Sequence, residues 1–200
     1  MSQEKKLNIN QEAKKAALRA MRVPGQIRAT EAAALYKMGR RLGHLVEIGC
    51  LHGRSTAALV QAAAVFKAKL TSIDPFYVTP GMKQQSSPGA WAENLRKVGL
   101  PVPELIALES HEAAKIFEDE ISFLFIDGNH DYEHVKQDIE DWLPKIKVGG
   151  VMAFHDMFTP HIDGVAKAVT EWWLSIFDIR NVTWKLESMT DFTIAFRRIK

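Results

Sequence analysis

With 200 residues, 46% hydrophobic and 25% charged, the chain has the apolar material for one full core, and its single cysteine, Cys50, excludes an internal disulfide framework and a thiolate zinc cluster. A net charge of +2 with dispersed Lys and Arg gives no footing for a nucleic-acid partner. No segment has the ~20 apolar residues that cross a bilayer, and the opening Met-Ser-Gln-Glu-Lys-Lys lacks the apolar run of a secretory leader, so no membrane partner and a cytoplasmic setting are expected.

In chain order, residues 10–21 predict an amphipathic helix through Ala13, Ala16, Ala17 and Ala20, halted by Val23-Pro24-Gly25. Residues 1–27 thus read as an N-terminal helical extension to a core over 28–200, the two forming a single domain. Thr30 is expected to cap a second helix carrying Ala33, Leu35, Tyr36 and Leu42. Then follow strand 44–48, helix 54–67 and strand 69–73. The connection 75–88 is too rich in Pro, Gly, Ser and Gln for a regular element, and its length suggests a lid. Helix 90–98, strand 103–108, a helix from Ser110, strand 121–126, helix 131–144, strand 148–154 and helix 162–175 come next. Strands 181–187 and 191–198 end the chain, with a turn at Met189-Thr190. Strands alternating with helices imply right-handed crossovers and an α/β, doubly wound, Rossmann-like fold: a mainly parallel sheet with helices on both faces and an antiparallel C-terminal hairpin.

The stretch from Leu45 to Thr56, Leu-Val-Glu-Ile-Gly-Cys-Leu-His-Gly-Arg-Ser-Thr, closes a strand on an acid and a small-residue turn. Gly49 and Gly53 allow a sharp turn and a close ligand approach, Cys50 and His52 edge the loop, and Ser55 and Thr56 are placed to cap the next helix. The Glu-x-Gly-x-x-x-Gly spacing differs from the dinucleotide fingerprint, which disfavours an NAD-dependent dehydrogenase. An acid at Glu47 suits the amino acid portion of S-adenosylmethionine better than a phosphate. A buried glycine pair also serves plain strand–helix packing.

Ligands in such sheets lie at the carboxyl ends of strands, and four strands here end in acids: Glu47, Asp74, Asp127 and Asp156. Asp74, beside the glycine turn, is the expected ribose ligand, accepting from both hydroxyls; a turn-forming Asp before Pro75 is the alternative. Phe76 lies against the cofactor or in lid core. The tryptophans 91, 142, 172, 173 and 184 read as core or interface, with substrate stacking by Trp172 or Trp173 as the minority role.

In this order, the acid–glycine turn, Asp74, Phe-Ile-Asp-Gly-Asn-His-Asp-Tyr-Glu from Phe125 and Gly-Gly-Val-x-x-x-His-Asp from Gly149 resemble a class I S-adenosylmethionine-dependent methyltransferase. More narrowly, they are similar to the small metal-dependent O-methyltransferases that include cephalosporin-pathway and macrolide-sugar enzymes. The resemblance runs from about residue 25 to 196. It implies a seven-stranded sheet with an antiparallel last strand, adenine contact near Ser110 and a general base at His130. Two positions depart from it: Leu51 replaces a frequent glycine, and His155 stands where an acid is common.

A hydroxyl acceptor must be deprotonated and aligned before it attacks a sulfonium methyl, and a divalent ion meets both demands. Asp127 and Asp156 are the expected hard ligands, with His155 or a carbonyl completing the set. Successive strand residues point to opposite faces, which favours Asp156 over His155 unless the chain turns there. Mg²⁺ leads, with Mn²⁺ or Zn²⁺ as alternatives. The expected cofactor contacts are Glu47, Gly49, Cys50, His52, Gly53, Ser55, Asp74, Phe76, Ser110 and Asp127. His130, three residues after Asp127, is the expected proton acceptor; His134 and His161 are weaker candidates, and Gly25 is expected to bring the N-terminal segment against the methionine end. The expected activity is methyl transfer to a hydroxyl of a small molecule, the alternative being a non-catalytic S-adenosylmethionine-binding scaffold. The N-terminal helix and terminal hairpin offer faces for a homo-oligomer.

Overall fold

Alternate strand residues feed two separate cores, so each central strand is buried on both faces and reads as an apolar run. Leu45, Phe123, Phe125, Val151 and Ala153 face one way, and Val46, Leu124, Ile126, Met152 and Phe154 the other. These residues belong to β1 (His44–Ile48), β4 (Ile121–Ile126) and β5 (Ile146–Phe154). With β2 (Lys69–Ile73) and β3 (Glu104–Ile106) they make a parallel set, and the hairpin of β6 (Trp184–Thr190) and β7 (Thr193–Arg198) joins β5 antiparallel. The order is β3-β2-β1-β4-β5-β7-β6, a seven-stranded mixed sheet. The computed structural model describes residues 3–77, 86–177, 181 and 183–200, so most of the expected lid, 78–85, lies outside the described residues.

The first core packs α1 (Gln3–Ala20), α2 (Ala29–Gly39), α3 (Arg54–Phe66) and α4 (Pro88–Lys97) on one face of the sheet; the second packs α5 (Ser110–Ile116), α6 (Tyr132–Trp142) and α7 (Asp163–Ile176) on the other. Trp91 and Trp142 are fully buried, and Trp172 sits edge-on to Trp184 and Phe196, with ring centroids 5.5 and 5.2 Å away.

Several boundaries differ from the sequence expectation. α1 begins well before residue 10. Thr30 is not a cap: Arg28 holds that place, its N–H donating to Glu31 Oε2 at 2.9 Å, and the Thr30 hydroxyl reaches Asp191. α2 stops at Gly39, leaving Leu42 outside the helix and 68% exposed. Ser55 and Thr56 lie inside α3, whose N-cap is Gly53. β3 is shorter than 103–108, and Leu143–Lys145 form a 3₁₀ turn before β5. The terminal hairpin turns at Asp191 and Phe192 rather than Met189-Thr190, because Asp191 takes the left-handed φ of +50° that a two-residue turn needs.

β1 and β4 abut where the strand order reverses. Gly49, just past β1, has φ +81°, and a Cβ there would stand 2.1 Å from the Asp127 carbonyl oxygen. Only glycine fits that gap. Beneath it Glu47 is wholly buried, its Oε2 accepting from Thr56 Oγ1 at 2.6 Å and Ser72 Oγ at 2.8 Å. Burial pushes its carboxyl up from 4.5 to about 7, against the opposing pull of the Ser55, Thr56 and Ser72 hydroxyls.

Two outcomes follow. Gly49→Ala should cost about 3 kcal/mol or more in urea unfolding, through both the clash and the disfavoured φ. The folded protein keeps the Glu47 proton that the unfolded chain releases, so wild-type stability should fall as pH rises from 4.5 to 7. Relative to Glu47→Gln the loss should approach about 3 kcal/mol; a difference between the two proteins that is flat from pH 5 to pH 8 would contradict this.

Candidate functional site

The reversal of strand order between β1 and β4 leaves a crevice at the carboxyl ends of the sheet. A cavity of about 770 Å³ opens there, lined by Gly49, Cys50, Leu51 and His52 after β1, Asp74 and Pro75 after β2, Ser110 at α5, and Asp127 through His130 after β4. Backbone hydrogen bonds level the strand tips: Gly49 N donates to Ile73 O at 2.8 Å, Asp127 N to Ile48 O at 2.8 Å and His155 N to Ile126 O at 3.0 Å. Gly25, Gln26 and Ile27 close one side of the cavity. Arg54, at the start of α3, holds that segment by donating from Nε to Val23 O at 2.8 Å and from Nη1 to Ile27 O at 3.1 Å. A Cβ on Gly25 would meet Arg54 Cβ at 2.6 Å.

Of the expected cofactor contacts, Gly49, Cys50, His52, Ser55, Asp74, Ser110 and Asp127 line this cavity, and Glu47, Gly53 and Phe76 do not. Glu47 lies under the loop, where its Oε1 has no hydrogen-bond partner among the described residues. Gly53 faces Trp91, whose Cδ1 would be 3.0 Å from an added Cβ, and Phe76 packs on the first core. The Asp74 carboxylate ties the loop together, with Oδ2 accepting from Cys50 N at 2.9 Å and Leu51 N at 2.8 Å, and Oδ1 from Phe76 N at 2.7 Å. Leu51 adopts a left-handed φ of +43° in that turn, the position where a glycine is more usual. Burial pushes the Cys50 thiol well up, so it stays a neutral thiol.

At the other wall Ser110 Oγ accepts from Trp142 Nε1 at 2.8 Å. Beside it is Asp138 of α6, 6% exposed, its carboxyl pushed up to about 6 by burial while the Ser110 hydroxyl pulls the other way. Sequence reading passes over Asp138 because an acid on an amphipathic helix ordinarily faces solvent. Among the described residues no tryptophan lines the cavity; Trp172 and Trp173 pack in the second core.

Asp127, His130 and Asp156 each offer a ligand atom, and these atoms lie within 4.8 Å of one another. His130 Nε2 is 3.0 Å from Asp156 Oδ2 and 3.7 Å from Asp127 Oδ1. His155 joins them, contrary to the alternation argument, because Asp156 takes a left-handed φ of +56° and the chain turns between the two residues. His155 Nδ1 lies 3.1 Å from Asp127 Oδ1 and 3.0 Å from Asp156 Oδ2, and Nε2 lies 3.2 Å from Oε1 of Glu31, which is 1% exposed. Glu31 is the residue the sequence does not betray: an acid in the first turn of a helix is commonplace.

The charges in this cluster shift one another strongly. The carboxylates of Asp127 and Asp156 push the His130 imidazole up to about 9. Burial opposes the charge on His155, yet Asp127, Asp156 and Glu31 raise it to about 12. Asp156, despite burial, is held well below the usual carboxylate range by His130, His155 and Thr159. With both carboxylates turned toward it His130 keeps its proton at neutral pH, and a cation shared by the same oxygens would compete for that grip. The chemistry of the donors fits a divalent ion: two carboxylates, two imidazoles, and buried nitrogens on His130 and His155 that make no aligned hydrogen bond. His134 lines the cavity but is more than half exposed, and His161 does not line it.

Comparison with known proteins agrees with this architecture. Residues 46–157 match a family described as a methyltransferase domain. Among solved structures, the chain is similar to the O-methyltransferase NovP, with TM-score 0.70, 17% identity, and 98% of this chain and 99% of that chain covered. It is also similar to the S-adenosylhomocysteine-bound methyltransferase PaMTH1 of Podospora anserina, with TM-score 0.67, 16% identity, and 100% and 97% covered. An rRNA methylase from Streptococcus thermophilus matches with TM-score 0.61, 17% identity, and 88% and 100% covered. At these identities the structures share the fold, while the family match spans more than half of the chain: the chain belongs to the family described as a methyltransferase domain.

Proposed function

We propose that the protein transfers the methyl group of S-adenosylmethionine to a hydroxyl of a small-molecule acceptor, with a divalent cation held at Asp127 and Asp156. The observation that carries this reading is that Asp127 and His130, which line the same cavity as the Gly49–His52 loop, each bring a ligand atom within 4.8 Å of one from the buried Asp156. A cavity of about 770 Å³ is of a size for a nucleoside cofactor and a small acceptor together. The likeness to NovP, an O-methyltransferase, supports oxygen as the accepting atom. No described helix is long and apolar enough to cross a membrane, and the lone, buried Cys50 suits a reducing cytoplasm.

In the reaction the sulfur–methyl bond breaks, the oxygen–methyl bond forms, S-adenosylhomocysteine leaves, and the hydroxyl proton passes to Nε2 of His130. Asp74 holds the ribose hydroxyls while keeping the loop amides in place. Glu47, buried beneath the loop, supports the Gly49 turn from below through Thr56 and Ser72. Ser110 bounds the adenine end. Asp127 and Asp156, at the tips of adjacent strands, orient the acceptor oxygen toward the methyl group in line with the departing sulfur. A divalent cation, when bound, supplies the positive charge that lowers the acceptor hydroxyl's pKa and takes up the carboxylate charge that otherwise holds the His130 proton.

Titration calorimetry should show S-adenosylhomocysteine binding to the wild-type protein, and absence of binding would refute the cofactor assignment. With a small hydroxyl acceptor, His130→Gln should lower kcat by about 10²-fold or more while cofactor affinity changes less than about 3-fold. Asp156→Asn should abolish any stimulation of turnover by added divalent ion while leaving that affinity in place. Equal turnover with and without a chelator would remove the cation from the mechanism.

A further inference from the structure

We propose that Glu31 positions His155 as a nitrogen donor beside Asp127 and Asp156, so that the site prefers a cation of the Co²⁺ or Zn²⁺ class to Mg²⁺. The inference rests on the cation-assisted reading above and goes beyond it to the residue that sets which ion is held. His155 is 5% exposed and Glu31 1%, so neither side chain is solvated at the surface. Glu31 is immobilised by three donors from the protein. Its Oε1 accepts from Thr193 Oγ1 at 3.0 Å and Phe192 N at 3.2 Å, and its Oε2 accepts from Arg28 N at 2.9 Å. A carboxylate so fixed cannot swing away from the imidazole.

The consequence is a choice of tautomer. With a cation shared by Asp127 and Asp156, the Glu31 charge 3.2 Å from Nε2 holds the ring's one proton on that nitrogen, and Nδ1, which lies 3.1 Å from Asp127 Oδ1 and 3.0 Å from Asp156 Oδ2, is the nitrogen left to donate. Neither ring nitrogen makes an aligned hydrogen bond among the described residues, so Nδ1 is not committed to either carboxylate. Phe125 stands edge-on to the ring with centroids 6.3 Å apart, which limits its rotation. Mg²⁺ favours an all-oxygen shell with several waters, whereas imidazole nitrogen beside carboxylates suits the later divalent ions. Glu31 thus acts on the site through His155, touching neither cofactor nor acceptor.

The test titrates MgCl₂, CoCl₂ and ZnCl₂ separately into wild type, Glu31→Gln, His155→Asp and Thr193→Val by calorimetry, with visible absorption of the Co²⁺ complex as a second readout. Wild type should bind Co²⁺ and Zn²⁺ at least about 10-fold more tightly than Mg²⁺, and His155→Asp should erase that preference. Glu31→Gln should weaken Co²⁺ by about 10- to 100-fold, weaken Mg²⁺ far less, and change the Co²⁺ spectrum. Thr193→Val removes one anchor of Glu31 without touching His155. It should lower the melting temperature yet keep the wild-type preference, which separates positioning from simple destabilisation. Should Glu31→Gln not fold, Glu31→Asp, which draws the charge back from Nε2, should show the same weakening in milder form. Wild type that binds no cation overturns the cation-assisted reading together with this inference. Wild type that binds cations with a Co²⁺-to-Mg²⁺ ratio unchanged in the Glu31 variants overturns this inference alone.

Discussion

The contact on which the site depends is a backbone one: the Gly49 Cα lies so close to the Asp127 carbonyl that no side chain fits between them. That closeness brings the tips of β1 and β4 level at the point where the strand order reverses. The same hydrogen-bond ladder continues outward, from Gly49 to β2 and from His155 to β4. One wall of the crevice is therefore a glycine turn with its amides drawn toward Asp74, and the other is a pair of strand ends carrying acids and imidazoles. Methyl transfer needs donor and acceptor within a few tenths of an ångström of alignment, and rigid strand tips provide such precision better than free loops do.

Electrostatics then sets the character of the second wall. Glu31, Asp127 and Asp156 bring three carboxylates together around His155, and His130 stands beside two of them. Removing any one partner from such a buried network leaves the others uncompensated, which is why the pieces act as a unit. The network also ties distant parts of the chain to the reaction centre. Through Glu31, the start of α2 and the turn of the β6–β7 hairpin both bear on the imidazole of His155. The N-terminal segment has a second hold on the site through Arg54 and the Gly25–Ile27 wall.

Most of the architecture was legible because the central strands are buried on both faces. Phe123-Leu124-Phe125-Ile126 cannot be satisfied at a surface, and the acid after it marks where the strand must end. The seven-stranded sheet was implied by resemblance to a family rather than by periodicity. Element ends were less legible, since they turn on local competition. Thr30 is a good cap in isolation, but Glu31 ties back to the Arg28 amide and moves the start of α2. The hairpin turn likewise shifted to Asp191, where a left-handed residue was needed.

By itself the sequence determined which acids stand at strand ends, where the glycine turn lies and that His130 follows Asp127 closely, because these are facts of spacing along one chain. Tertiary structure alone decided that His155 turns toward the acids, that Glu31 is buried against it from 124 positions upstream, and that Asp138 is sealed beside Ser110. The physical reason is that burial and charge pairing depend on which surfaces meet across the sheet, and residues far apart in sequence carry no local mark of the partner they will find.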